Sequence, residues 1–192
     1  MTESQKMLET TEMIGSRPPA TDGSVTRMLL ASDGSTTRLL QAITGQPLAV
    51  QVDAQGETRA AGLPPAIRAV LGLTDDGAIV VERRSRLLTP ERRVVSINHV
   101  VLDPAAVRTH GAPDLAVPIG IRLRGDRVPQ FRELVGSGTG TWLPDGASTP
   151  AACAFKAYLI HDSSGGLIYV HESFNPGVVP PPRLVGPGSQ PR

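Results

Sequence analysis

Chemistry in this chain falls to charged side chains set inside apolar strand patterns. In Val80-Val81-Glu82-Arg83-Arg84-Ser85-Arg86-Leu87-Leu88, the two-residue period of a strand sends Glu82, Arg84, Arg86 and Leu88 to one face and Val81, Arg83 and Leu87 to the other. At least one arginine then shares a face with apolar neighbours. A guanidinium taken out of water needs an anion, either a protein carboxylate or a substrate carboxylate held through two parallel hydrogen bonds. The alternative is a solvated face bearing an Arg/Glu ladder. Glu172 shares its face with Ile168, Val170 and Phe174, so its carboxyl is either paired or desolvated with a raised pKa. Lys156, one of only two lysines beside Lys6, shares a face with Ala154 and Tyr158.

Other chemistries find less support. The four histidines, His99, His110, His161 and His171, make no i, i+4 pair with matching carboxylates, so no metal site is expected. His171 and Glu172 point to opposite faces of one strand and cannot share a ligand. There is no Walker loop, nucleotide fingerprint, nucleophile elbow or HExxH. The run Gly136-Ser137-Gly138-Thr139-Gly140 is expected to be a loose loop rather than a phosphate cradle. A single cysteine, Cys153, allows no internal disulfide. The net charge of +1 gives no basic field for nucleic acid. The polar start lacks a secretory signal and no apolar run reaches spanning length, so a cytoplasmic protein off the membrane is expected.

The elements that must position these residues read as α+β. Residues 1–23 and the Pro/Gly-rich stretch 177–192 read as disordered tails around one domain over 24–176. Helices are expected over Val25–Ala31 and Thr36–Ile43, with Ser35 as a hydroxyl cap of the second and Gly45-Gln46-Pro47 as its end. Leu48–Asp53, Ala78–Leu88 and Val94–Leu102 alternate as strands, the last two forming a hairpin. A short helix is expected over Pro64–Leu71 and another over Pro129–Leu134. Cys153–His161 and Leu167–Phe174 flank a Gly-rich turn and form a second hairpin. All six aromatic residues lie from Phe131 onward, which puts the core centre near that hairpin. Helices, hairpins, a helix and a final hairpin imply one antiparallel sheet with helices on one side or rim.

Several of these segments, taken in order, resemble a family. Asp33-Gly34-Ser35-Thr36-Thr37-Arg38 is similar to the opening motif of chorismate lyases, in particular their actinobacterial branch. Arg83 to Leu88 resembles their substrate-arginine strand, and Asn98 to Asp103 the partner strand. Pro118-Ile119-Gly120 resembles their flap, Arg132-Glu133-Leu134 the helix that follows it, Lys156-Ala157-Tyr158 an arginine-x-tyrosine motif, and Glu172-Ser173-Phe174-Asn175-Pro176 the closing glutamate strand. The resemblance implies an enzyme that releases 4-hydroxybenzoate and pyruvate from chorismate without a cofactor, in a pocket closed by helical flaps. It implies that Arg84, with Arg83 as the shifted alternative, holds the ring carboxylate, helped by the backbone N–H at Ser35. Glu172 and the backbone at Ile119 would meet the hydroxyl, and Lys156 the enolpyruvyl carboxylate. Arg84 and Glu172 are the implied catalytic pair, and a small anionic acid is the implied partner. The same fold resembles a sensor domain of bacterial regulators, and a homologue acting on another small acid is a further alternative.

Overall fold

Six stretches of this chain pair into one antiparallel sheet. The computed structural model describes residues 23–110, 130–144, 148–162 and 165–182. The strands are β1 (Ala49–Arg59), β2 (Ile79–Leu88), β3 (Val94–Leu102), β4 (Gln130–Trp142), β5 (Ala151–Asp162) and β6 (Leu167–Phe174), in the order β1-β2-β3-β6-β5-β4. The expected hairpins are β2–β3 and β5–β6, and β3 joins them by pairing with β6.

Helices α1 (Gly23–Ala31) and α2 (Thr36–Thr44) cover one end of the front face. There Leu29, Leu30 and Leu40 pack on Leu87, Ala154 and Phe174. Leu40 is fully buried, so truncating it to alanine costs about 2–5 kcal/mol. α2 ends at Gly45, whose φ of 66° is the left-handed cap that favours glycine. Ser35 occupies the N-cap position with extended backbone, but its side chain makes no capping bond. That expectation is corrected in mechanism, not in place. The Ser32 hydroxyl instead accepts from the Gly34 N–H at 3.0 Å, which shapes the turn between the two helices.

Helix α4 (Pro104–His110) covers the other end of the front face, where Ala106 meets Val100, Tyr158 and Ile168. It was not anticipated. Its signal was the Asp103-Pro104 pair: the Asp103 carboxylate accepts from the Ala106 N–H at 2.7 Å, and proline suits the first helical position. Helix α3 (Pro65–Val70) lies on the back face, where Ile67 packs with Val80, Val101, Leu159 and Tyr169.

The expected helix over Pro129–Leu134 and the expected glycine loop are both wrong, because from Gln130 onward they form the long strand β4. Gly136, Gly138 and Gly140 alternate with Ser137, Thr139 and Thr141, so the three glycines share the back face. The Phe155 ring of β5 lies against that strip. A Cβ at Gly140 would stand 3.3 Å from its Cδ1, and one at Gly138 3.4 Å from its Cε1. Packing of an aromatic ring on a glycine strip offsets the weak strand preference of glycine. His171 stacks on the same ring with centroids 5.3 Å apart.

The stretch after β6 is also not a tail from its first residue. Val179 is buried in the α1–α2 core, the Thr26 hydroxyl donates to the Pro180 carbonyl at 2.9 Å, and Arg93 donates to the Gly177 carbonyl at 2.8 Å. These contacts carry the packed unit at least to Pro180.

Candidate functional site

Strand register draws polar side chains from separate strands into one row. Ser85 on β2 faces Asn98 on β3, Asn98 faces Glu172 on β6, Glu172 faces Lys156 on β5, and Lys156 faces Ser137 on β4. The neighbouring row is Arg83, Val100, Val170, Tyr158 and Leu134. Ser85, Asn98 and Glu172 of the first row and Arg83, Val100, Val170 and Tyr158 of the second floor a cleft on the front face. The first turn of α2 (Ser35, Thr36, Thr37), Val50 of β1 and Arg132 of β4 line the rest. The cavity has a volume of about 50 Å³, several times what one water needs.

Arg83 is 1% exposed and lines this cleft, whereas Arg84 lies on the opposite face with 67% of its side chain exposed, paired to Glu82 at 3.1 Å. The assignment of Arg84 to the pocket is therefore corrected to Arg83. Parity already put Arg83 with Val81 and Leu87, and the burial of these residues follows it.

Glu172 is 5% exposed and lines the cleft. Burial pushes its carboxyl pKa up, while the Thr36 hydroxyl, the Lys156 and Arg132 cations and the Tyr158 phenol pull it back. Burial likewise drives the Tyr158 pKa far up, so the ring keeps its proton and remains a hydrogen-bond donor. Although Thr36 and Tyr158 lie near enough to act on the carboxyl, Glu172 Oε2 and Thr36 Oγ1 complete no hydrogen bond of good geometry among the described residues. Asn98 Oδ1 is in the same position. Three buried polar oxygens thus line one cleft without a hydrogen-bond partner among the described residues, and buried polar groups call for one.

Lys156 is 2% exposed, but it does not line the Arg83–Glu172 cleft. Its ammonium donates to the Leu29 carbonyl at 3.4 Å and to the Ser32 carbonyl, at the C-terminal end of α1. A cation there satisfies carbonyls that the helix leaves unpaired. Burial lowers its pKa, against the pull of Glu172. It lines a smaller adjoining cleft with Asp33, Arg132 and Tyr158. Ser35 lines the main cleft. Ile119, with the expected flap Pro118–Gly120, lies outside the described residues.

Sequence reasoning missed Arg132 as a cleft residue because a helix was expected there. Its guanidinium donates to the Gly34 carbonyl and lies 5.4 Å over the Tyr158 ring, and it borders both clefts. His99 and His171 lie on the back face. His99 meets Glu82 at 2.8 Å and His171 stacks on Phe155, so neither faces the cleft. Among the described residues, no group of three or more His, Cys, Asp or Glu is arranged to hold a metal. No helix among them is long and apolar enough to cross a membrane.

Residues 29–179 match the family described as chorismate pyruvate-lyase Rv2949c-like. The chain belongs to that family. No curated protein matches it in sequence. Among solved structures, this member of the Rv2949c-like family resembles the effector domain of PhnF from Mycobacterium smegmatis. The TM-score is 0.52 and the identity 19%, over 75% of this chain and 90% of that one. It also resembles PhnF itself, with a TM-score of 0.55 and 18% identity over 77% of this chain and 66% of that one. A third likeness is to the possible transcriptional regulator YydK from Bacillus subtilis, with a TM-score of 0.53 and 10% identity over 67% of this chain and 58% of that one. The chain thus spans about two thirds of PhnF and somewhat over half of YydK. These likenesses share the fold of the family member and carry nothing further about its ligand.

Proposed function

We propose that this protein is a cofactor-free carbon–oxygen lyase that converts chorismate to 4-hydroxybenzoate and pyruvate. The observation that carries the reading is that the buried Arg83 guanidinium and the buried Glu172 carboxyl line one cleft, with Glu172 Oε2 meeting no hydrogen-bond partner among the described residues. In this reading Arg83 holds the ring carboxylate through two parallel hydrogen bonds. The first turn of α2, whose backbone N–H groups have no helical acceptor, assists at Ser35.

Glu172 then meets the hydroxyl-bearing end of the ring. Chorismate is primed to aromatise, so the protein needs to orient it and move one proton. The ether bond to the enolpyruvyl group breaks with its electron pair leaving on oxygen, and the hydroxyl-bearing ring carbon loses its hydrogen as a proton. Glu172 accepts that proton and returns it to the departing enolate, which becomes pyruvate. A carboxyl whose pKa burial raises suits both transfers. The Tyr158 phenol and Thr36 hydroxyl lie beside the carboxyl in the same cleft.

A sensing role for the same cleft is the second reading, favoured by the likeness to the effector domain of PhnF. One measurement separates the two. Incubated with chorismate and a metal chelator, the protein is expected to release 4-hydroxybenzoate and pyruvate in equal amounts over many turnovers. Tight binding of a small acid with no pyruvate released overturns the lyase reading in favour of the sensor.

A further inference from the structure

The cation implied for the second substrate carboxylate was Lys156, yet its ammonium is committed to the Leu29 and Ser32 carbonyls and does not line the main cleft. Arg132 does line it. Resting on the reading of this cleft as a site for small carboxylic acids, we propose that Arg132 binds the second carboxylate of a dianionic substrate and so makes the site selective for dicarboxylates.

Arg83 and Arg132 stand on β2 and β4, which are separated in the sheet by β3, β6 and β5. Strands about 4.8 Å apart put their backbones roughly 19 Å from each other. Both arginines line the one cleft from opposite sides of the sheet. Glu172 stands on β6, between them, where it meets the middle of a dianionic ligand.

The Arg132 guanidinium has five N–H donors in a rigid plane. Among the described residues, the Gly34 carbonyl is the one hydrogen-bond acceptor it meets, and no carboxylate forms an ion pair with it. The guanidinium lies over the Tyr158 ring, with 5.4 Å between Cζ and the centroid, a favourable cation–π contact. Gly34 precedes Ser35 and Thr36, so the same contact ties Arg132 to the turn that lines the cleft's other wall. A half-buried, oriented arginine with unused donors at the mouth of a polar cleft is a ready-made carboxylate clamp.

The test uses two ligands that differ only in the distal acid, 3-(carboxymethoxy)benzoate and 3-ethoxybenzoate, titrated calorimetrically into the wild-type protein, Arg132→Gln and Arg132→Lys. The wild type is expected to prefer the dicarboxylate by at least about tenfold. Arg132→Gln should abolish that preference while the monocarboxylate loses less than about threefold, and Arg132→Lys should restore part of it. If Arg132→Gln merely loosens the turn at Gly34, both ligands weaken together and the preference survives, which overturns the proposal. A wild type without preference overturns it equally. Turnover of chorismate is read separately: an Arg132-dependent preference without pyruvate release removes the lyase reading and leaves this one standing.

Discussion

Arg83 and Arg84 are adjacent, alike in type, and opposite in setting. One is buried beside the cleft and the other exposed on the far face. On the lyase reading, Arg83→Ala is expected to lower kcat/KM for chorismate by roughly a hundredfold or more, because that reading gives Arg83 the charge-assisted contact to the ring carboxylate. Arg84→Ala, which loses an exposed pair with Glu82, should stay within about threefold of wild type. Steady-state kinetics on both variants decide between them, and equal losses would refute the placement. Glu172→Gln should cost orders of magnitude in kcat and should also change the pH dependence of stability. Burial raises the folded carboxyl above its ordinary 4.5. The unfolded chain therefore loses the proton first, and the stability held by the protonated group is fully present below about pH 4.5 and lost as pH rises through the folded value. The melting temperature of Glu172→Gln should accordingly fall less than that of wild type between pH 4.5 and 7, and identical slopes would count against a desolvated carboxyl. Period-two reasoning made both Glu172 and Arg83 legible as charges among apolar neighbours. It could not show that the Lys156 ammonium turns to α1, because that depends on where a helix far away in sequence ends.

Most elements could be read from local chemistry. The hairpins, both first helices and the Gly45 stop follow from alternation and breakers. Strand β4 could not be read that way, because glycine and threonine have weak or conflicting local preferences and the decisive partner is Phe155, on the next strand. Alternation of Ser137, Thr139 and Thr141 with glycine was the available signal, and reading it would also have exposed Arg132 as a strand residue. The glycine strip predicts an asymmetry that unfolding in urea can measure. Gly140→Val drives a side chain into the Phe155 ring and should cost about 1–3 kcal/mol. Gly136→Ala, with nothing within 4 Å of the new carbon, should cost no more than about 1 kcal/mol. If both glycines tolerate substitution equally, the ring does not close the strip.

For the molecule as a whole, the domain end is set by packing beyond the last strand. The Pro-rich stretch from Gly177 suggested a tail, since local composition says nothing about a valine that docks between two helices and a sheet. A chain ending at Pro176 loses Val179 and the Pro180 carbonyl that Thr26 uses, and should melt several degrees lower than one ending at Pro182. Equal melting temperatures would show that these contacts contribute nothing. The polar row has a separate consequence. Ser85, Asn98, Glu172 and Lys156 come from four different strands, and slipping any one strand by a single residue turns its member of the row to the other face. The cleft therefore exists only in chains whose pairings are all correct, and a ligand present during refolding binds those chains alone. It acts as an inspector of assembly, drawing the population towards the one arrangement it can recognise.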